Sequence, residues 1–287
     1  IEAYVTVDIG PRIIRFGHTG GRNILCSNRK AFGPKDDKVF TDYYGEGKHW
    51  ENLAGHRIWV SPESYPETYY PDLEAVTYEK TEYGAIFTPN PEKENGVAKS
   101  LEIKMDSDDT NMQITMRVKN ISDKPKDFAV WGLSVSEKGG TLVIPMNEND
   151  TGLLPNRIVS VWPYTDMGND RIYFGDRYVT LRQDEKYTKP IKLGFDLNCG
   201  TVYYCLGDDI FRKSYDTNHP SGKYPDGGCS FETYTNENMI EIESLGELKT
   251  VEPGEISSLT ESWSLCKKPC DTDFKDDKSI DEMLSRL

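Results

Sequence analysis

Short runs in which apolar and polar residues alternate dominate the hydrophobic pattern of the chain. In the segment NMIEIESLG, residues 238–246, Ile240 and Ile242 are interleaved with Glu241 and Glu243. Residues two apart in a β-strand point to the same face, so one face of this segment carries isoleucines and the other carries carboxylates. Two interpretations stay open, because the carboxylates can face water or face a ligand.

Similar strand-like runs recur along nearly the whole chain, and turn residues separate them. The runs are rich in Val, Ile, Thr and aromatic residues, as in HRIWV, NMQITMRVKN and DFAVWGLSVS, and the turns include HTGGRN, SEKGGT and VEPGE. Many short strands with such turns predict an all-β fold, an antiparallel sandwich or barrel. The one predicted helix is C-terminal, in SIDEMLSRL, where Ser279 and Glu282 fit a capping box.

No low-complexity linker and no internal repeat divides the chain. We therefore predict a single domain over 1–287, with a β-sandwich over about 1–266 and a tail and helix over 267–287. The stretches 28–54, 61–72 and 146–170 are rich in loop residues and long for connectors. Long loops at the rim of a rigid sheet are where binding residues tend to lie.

Composition and charge narrow the classes of partner. The 287 residues carry a net charge of −14 without any Lys/Arg cluster, which argues against nucleic acids and anionic membranes as partners. No stretch reaches the ~18 uncharged apolar residues of a membrane helix, and no signal-peptide pattern is visible. The six cysteines are interpreted as free thiols, and neither they nor the histidines show metal-ligand spacing. We predict no metal and no cofactor, and the oligomeric state stays open.

The segment GHRIWVSPESYPETYYPD, residues 55–72, holds the first candidate binding residues. A strand with His56, Arg57 and Trp59 leads into a loop that contains Glu63. Aromatic rings cover the apolar faces of sugars, while Arg, His and carboxylates bond sugar hydroxyls, so the mixture suits a sugar. The alternative is a packed tryptophan, a structural salt bridge at Arg57 and a surface loop.

Two further tryptophans differ in their sequence surroundings. Trp131, in AVWGLSVSEKGG, lies within a strand and is interpreted as a core residue. Trp162, in SVWPYTD, opens a loop rich in Pro, Asp and Gly. Trp162 is therefore the better candidate for a sugar platform.

The segment 224–246 is predicted to form a loop, a strand, a turn and a second strand. If the turn is built on Thr235–Asn238, Glu232 lies opposite Glu241, and both share a face with Glu243. Like charges so close together are unfavourable where water is scarce, unless something offsets them.

Three kinds of group can offset these carboxylates: a cation such as Arg57 or Lys192, a proton on one carboxyl, or the hydroxyls of a ligand. A solvated hairpin face, on which three glutamates cost little, is the alternative. The isoleucines of the opposite face fit both interpretations.

Several segments together resemble an uncharacterised bacterial family of the galactose mutarotase-like superfamily. They are VDIGPRIIRFGHTGGRN, GHRIWVSPE, AVWGLSV, GGTLVIP, YPDGGCSFETYTNENMIEIESLG and VEPGEISSLTESWSL. The resemblance runs from the first strand to about residue 266. It implies a large antiparallel β-supersandwich whose concave sheet face holds carbohydrate in many relatives, and therefore a small-molecule carbohydrate as partner.

In the aldose 1-epimerases of that superfamily, a Glu takes the proton from the anomeric hydroxyl and a His protonates the ring oxygen. Glu243, a few residues before VEPGE, best matches the position of the base, with Glu241 as second choice. Arg57 in HRI is similar to an arginine that bonds sugar hydroxyls. AVWGLSVSEKGG contains no His at the position of the acid, which leaves His56 as the candidate.

The resemblance implies a carbohydrate-binding protein that acts on an aldose or a sugar phosphate. The candidate catalytic residues are Glu243 and His56, and the candidate substrate-binding residues are Arg57, Trp59, Glu63, Trp162, Lys192, Glu232 and Glu241. Lys192 would neutralise an anionic group of the substrate. The alternative is a non-catalytic sugar-binding or sensing module that has lost the catalytic His.

Overall fold

Two antiparallel β-sheets form the body of the protein. The computed structural model describes residues 1–26, 34–105, 110–218 and 222–287. The described strands are β1 Glu2–Val5, β2 Ile13–Gly17, β3 Gly55–Ser61, β4 Thr77–Thr81, β5 Gly84–Thr88, β6 Val97–Met105, β7 Asn111–Asn120, β8 Lys126–Ser136, β9 Thr141–Pro145, β10 Val159–Val161, β11 Ile172–Phe174, β12 Tyr178–Arg182, β13 Ile191–Phe195, β14 Thr201–Leu206, β15 Asp209–Tyr215, β16 Phe231–Thr235, β17 Ile240–Leu245, β18 Lys249–Val251 and β19 Ile256–Lys267. The described helices are α1 Lys38–Tyr44 and α2 Asp277–Leu284, with a 3₁₀ turn at Glu67–Tyr69.

The strand order joins distant parts of the sequence. Nine described strands form one sheet in the order β1-β2-β3-β8-β17-β16-β13-β10, with β18 also paired to β8. Ten form the other, in the order β11-β12-β9-β14-β15-β19-β7-β6-β5-β4. The predicted all-β antiparallel sandwich with a short C-terminal helix is confirmed, while the single-domain assignment stays a prediction.

The main core lies between the sheets, and strand alternation decides which residues reach it. Val130 of β8 and Ile240 and Ile242 of β17 belong to this core. Their neighbours in the same strands, such as Trp131 and Leu133, join a second apolar cluster. That cluster lies on the face of the nine-stranded sheet that points away from the ten-stranded sheet, here called the outer face.

A buried ion pair within the ten-stranded sheet contacts the nine-stranded sheet behind the middle of the outer face. The side chains of Lys213 on β15 and Glu261 on β19 are both fully buried, with Nζ 3.0 Å from Glu261 Oε1. The same Nζ donates hydrogen bonds to the carbonyl oxygens of Gly132 on β8, at 3.0 Å, and Ile242 on β17, at 2.9 Å. Lys213 therefore fixes β8 and β17 against the ten-stranded sheet.

Gly132 makes room for this ion pair. A Cβ at this position would lie 2.2 Å from Glu261 Oε1 and 2.6 Å from Met116 Cε. Any side chain at position 132 would therefore force Glu261 Oε1 away from its contact with Lys213, so glycine at this point of β8 preserves the ion pair.

Both helices depart from the sequence-based expectation. Stretch 28–54 was predicted as loop, but its described part contains α1, which Asp37 caps by accepting from the N–H groups of Val39 and Phe40; residues 28–33 lie outside the described part. The predicted cap of the C-terminal helix at Ser279 is wrong, because α2 starts earlier and Asp276 accepts from the N–H of Lys278. Neither described helix is long and apolar enough to cross a membrane.

The substitution Lys213→Met tests the buried ion pair. We expect it to lower the free energy of unfolding by about 3–5 kcal/mol, because Glu261 would keep a buried charge without its cation. Urea unfolding measures the change, with Lys80→Met on β4, whose side chain is exposed, as the matched control. An unchanged unfolding midpoint in Lys213→Met would show that the buried Lys213 ammonium does not stabilise the contact between the sheets.

Candidate functional site

A cleft opens on the outer face of the nine-stranded sheet. It encloses about 440 Å³ and adjoins a second space of about 410 Å³ that shares several of its walls, including Trp131 and Lys192. Side chains of β3, β8, β13, β16 and β17 form the floor, and residues from the segments around Lys35, Tyr69 and Tyr164 form the walls. The lining combines aromatic rings with charged groups.

The floor is built from cross-strand neighbours that share the outer face. Trp59 of β3 lies opposite Trp131 of β8, with their ring centroids 5.4 Å apart. Arg57 of β3 and Glu243 of β17 both lie opposite Leu133 of β8. Residues that are far apart in sequence are thus brought to one surface by register alone.

Arg57 is held between indole rings beside a carboxylate. Its guanidinium carbon lies 4.2 Å from the ring centroid of Trp59 and 5.8 Å from that of Trp50. Nη1 donates to Asn52 Oδ1 at 3.3 Å, and Nη2 donates to Glu241 Oε1 at 3.4 Å. Arg57 is only 2% exposed and Glu241 only 8%. This ion pair is therefore largely shielded from solvent.

Lys192 lies between two further indoles and two carboxylates. Its Nζ is 4.9 Å from the ring centroids of both Trp131 and Trp162. The same atom is 2.9 Å from Glu232 Oε2 and 3.2 Å from Glu243 Oε2. The cation predicted to neutralise an anionic substrate group is therefore already paired twice.

Glu243 lies beneath this layer and does not line the cleft. Its side chain has no exposed surface, and Oε2 accepts a hydrogen bond from Trp131 Nε1 at 3.0 Å as well as from Lys192. Glu241, two residues earlier on the same strand, does line the cleft. Both carboxylates thus lie on the same face of β17, but only Glu241 lines the cleft.

Burial changes the protonation of these carboxyl groups. Burial raises the pKa of Glu232 to about 8, with Lys192 acting against the rise and Glu243 adding to it. Burial and the nearby Glu243 raise the pKa of Glu241 to about 7, against the effect of Arg57. Burial disfavours the charged form of Lys192, but Glu243 and Glu232 outweigh it and hold the pKa of Lys192 well above its usual range.

His56 lies on the opposite face of β3, between the two sheets. It has no exposed surface, its Nδ1 is 2.9 Å from Ser134 Oγ, and its ring meets Trp263 edge-on at 5.0 Å. Burial and the nearby Lys213 hold the pKa of His56 well below its usual range. The prediction that His56 joins Arg57 in one site is wrong, because consecutive strand residues point to opposite faces.

The hairpin that carries the glutamates has a different register from the predicted one. The turn spans Asn236–Met239, where the Asn236 N–H donates to the Met239 carbonyl at 3.2 Å. Glu232 therefore pairs with Glu243, and Tyr234 pairs with Glu241. The predicted pairing of Glu232 with Glu241 is wrong by two residues, and a shift of two leaves all three carboxylates on the same face.

Trp131 was interpreted as a core residue but lines the cleft. It is buried, yet on the outer face, where its ring contacts Lys192 and its Nε1 binds Glu243. Strand alternation indicates this position, because Val130 and Gly132 point towards the ten-stranded sheet and Trp131 between them must point away from it. Tyr234 was also missed, although it lies two residues after Glu232 on the same strand and hence on its face.

Trp162 and Glu63 lie towards the opening of the cleft. Trp162 is partly exposed. Its indole packs closely over Gly194, where a Cβ would lie only 3.3 Å from Cζ3 of the ring. Glu63 is exposed and accepts a hydrogen bond from the Tyr69 hydroxyl. Within the described residues, no group of three or more His, Cys, Asp or Glu side chains is placed to hold a metal ion.

No protein-family model and no curated protein matches the sequence. Solved structures match its fold. A galactose mutarotase-like protein from Lactobacillus casei ATCC 334 aligns with a TM-score of 0.54 and 12% identity, over 92% of this chain and 96% of that chain. The chain has the galactose mutarotase-like fold.

Two further matches extend this result. A galactose mutarotase-like protein from Clostridium acetobutylicum aligns with a TM-score of 0.52 and 11% identity over 92% of each chain. A TPR-domain containing protein from Parabacteroides distasonis ATCC 8503 aligns with a TM-score of 0.59 and 14% identity, over 94% of this chain and 46% of that one. The predicted superfamily fold is confirmed, and the narrower bacterial family stays a prediction.

The substitution Glu232→Gln tests the charge state of the cleft floor. The folded pKa of Glu232, about 8, lies above the ordinary value of 4.5, so its protonated form favours the folded state and that stability is lost as pH rises towards 8. Glutamine resembles the protonated carboxyl and cannot ionise in either state, so the stability advantage of the variant over wild type should be larger near pH ~8.5 than near pH ~5.5 by on the order of 3 kcal/mol. Urea unfolding at both pH values measures the difference.

The matched control is Glu79→Gln, because Glu79 is exposed on β4. This variant should follow wild type at both pH values. A constant difference between Glu232→Gln and wild type across the pH range would mean that Glu232 is ionised throughout.

Proposed function

We propose that the protein binds a carbohydrate in the cleft on the outer face of the nine-stranded sheet. The observation that carries the proposal is the Arg57–Glu241 pair, which lines the cleft beside the rings of Trp59 and Trp50. A carboxylate and a guanidinium offer acceptors and donors to neighbouring hydroxyls, while indole rings cover the apolar C–H faces of a sugar.

Partly exposed residues extend this recognition surface. Tyr164 and Tyr234 meet edge-on at 6.5 Å between centroids and line the cleft, and Trp162 borders the adjoining space. Hydroxyls and indoles at a cleft opening suit the far side of a sugar ring. The fold agrees with this proposal, since two of the matched structures are named galactose mutarotase-like.

Aldose 1-epimerase-like proton transfer is the second candidate function. Glu241 lines the cleft and has a pKa of about 7, which suits a general base near neutral pH. Glu243, the residue first considered as base, would need Lys192 to move before it reached a ligand. Among the described lining residues there is no histidine to act as acid, which favours binding without turnover.

Titration calorimetry across a panel of aldoses tests the binding proposal. Glu241→Gln should weaken the binding of any sugar that binds by about ten-fold or more, because a hydrogen bond to a charged group is lost. Glu79→Gln, remote on β4, should bind like wild type. Failure of the whole panel to bind, or equal affinity in Glu241→Gln, would contradict the proposal.

Polarimetry of freshly dissolved aldoses tests proton transfer separately. If Glu241 is a base, wild type should accelerate mutarotation and Glu241→Gln should lose most of the acceleration. Binding without acceleration would identify a sugar-binding module instead. Acceleration that persists in Glu241→Gln would assign the base to another residue.

A further inference from the structure

The deep part of the cleft holds more carboxylates than cations. Glu232 and Glu241 line the cleft and Glu243 lies directly beneath it, and among the described residues only Arg57 and Lys192 pair with these three carboxylates. Each cation is already beside a carboxylate. Oε1 of Glu232 and Oε1 of Glu243 are buried and have no hydrogen-bond partner in the described part of the chain.

The opening of the cleft has the same imbalance. Glu63 and Asp226 line it together with Lys35, whose Nζ lies over the rings of Tyr69, at 4.6 Å, and Tyr65, at 5.5 Å. With the buried Glu243 included, the described residues thus provide one carboxylate more than they provide cations at both depths. A ligand that enters the cleft meets a surplus of negative charge or of protonated carboxyls.

We propose that the ligand of this cleft is an amino sugar, an aldose that carries a protonated amino group in place of a hydroxyl. The inference rests on the proposed function, because it takes sugar binding at this site as given. An ammonium group would supply the cation that the floor lacks and would allow Glu241 to ionise beside it. Wherever the amino group lies on the sugar, this charge balance is the same.

The same balance disfavours sugar phosphates and sugar acids. An anionic group would add a further negative charge where Arg57 and Lys192 already have carboxylate partners, at 3.4 Å and at 2.9 and 3.2 Å. To pair with Arg57 or Lys192, the anionic group would have to displace a carboxylate partner from a site that is largely shielded from solvent, which is unfavourable. The net charge of −14 on the chain also attracts cationic ligands and repels anionic ones at long range.

The pKa values of the floor are consistent with a missing cation. Burial, with a contribution from Glu243, raises the pKa of both Glu232 and Glu241. Each carboxyl therefore takes up a proton more readily than in water, because burial disfavours its charged form and the nearby cations offset this only in part. A bound ammonium would take the place of that proton.

Calorimetry with matched sugars tests the proposal on the intact chain. The probes are glucosamine, glucose and glucuronate, and the corresponding galactose series, near pH ~6.5 where the amine is protonated. We expect at least one amino sugar to bind about ten-fold or more tightly than its neutral counterpart, and the sugar acid to bind most weakly. Glu241→Gln should lose most of the preference for the amino sugar and bind the sugar acid better.

Two variants guard against loss of folding. Glu63→Gln changes an exposed carboxylate at the opening and should reduce the preference by a smaller factor, whereas Glu79→Gln on β4 should keep it in full. Thermal unfolding of each variant verifies that the chain is folded.

The outcomes separate this inference from the proposed function. A neutral sugar or a sugar acid that binds as tightly as the amino sugar would overturn the inference and leave carbohydrate binding intact. If none of the sugars binds, both the inference and the proposed function fail.

Discussion

The ammonium of Lys213 is the point on which the rest of the structure depends. It is fully buried beside Glu261, and it also bonds the carbonyls of Gly132 and Ile242 in the other sheet. Removing two charges from water is costly, so the pair is stable only with these additional hydrogen bonds. Because Gly132 and Ile242 are neighbours in sequence of Trp131, Glu241 and Glu243, the contact that joins the sheets also fixes the floor of the cleft.

A second constraint, strand alternation, divides each strand between core and cleft. Ile242 packs in the inter-sheet core while Glu241 and Glu243 face outwards. Neither of these two carboxylates faces open water, and they lie at different depths. One lines the cleft, and the other is sealed beneath Lys192 and Trp131.

The sequence predicted the strands and the shared face of three glutamates because both follow from local alternation. It left the hairpin register ambiguous, since two turns two residues apart give the same pattern of faces. The resemblance implies a role for His56, but His56 directly precedes Arg57 in β3 and therefore points to the opposite face, between the sheets. Lys35 and Asn52 lie outside the strands, in segments whose sequence carries no periodic signal, so only the three-dimensional structure places them at the cleft.

The distribution of tryptophan gives the molecule an optical property. Of five tryptophans, Trp50, Trp59, Trp131 and Trp162 surround the cleft, while Trp263 is buried between the sheets. Three of the four cleft indoles lie within 5 Å of the charged groups of Arg57 or Lys192. Indole emission depends on nearby charge, so we expect a ligand that rearranges those charges to change the intrinsic fluorescence of the protein, without any added label.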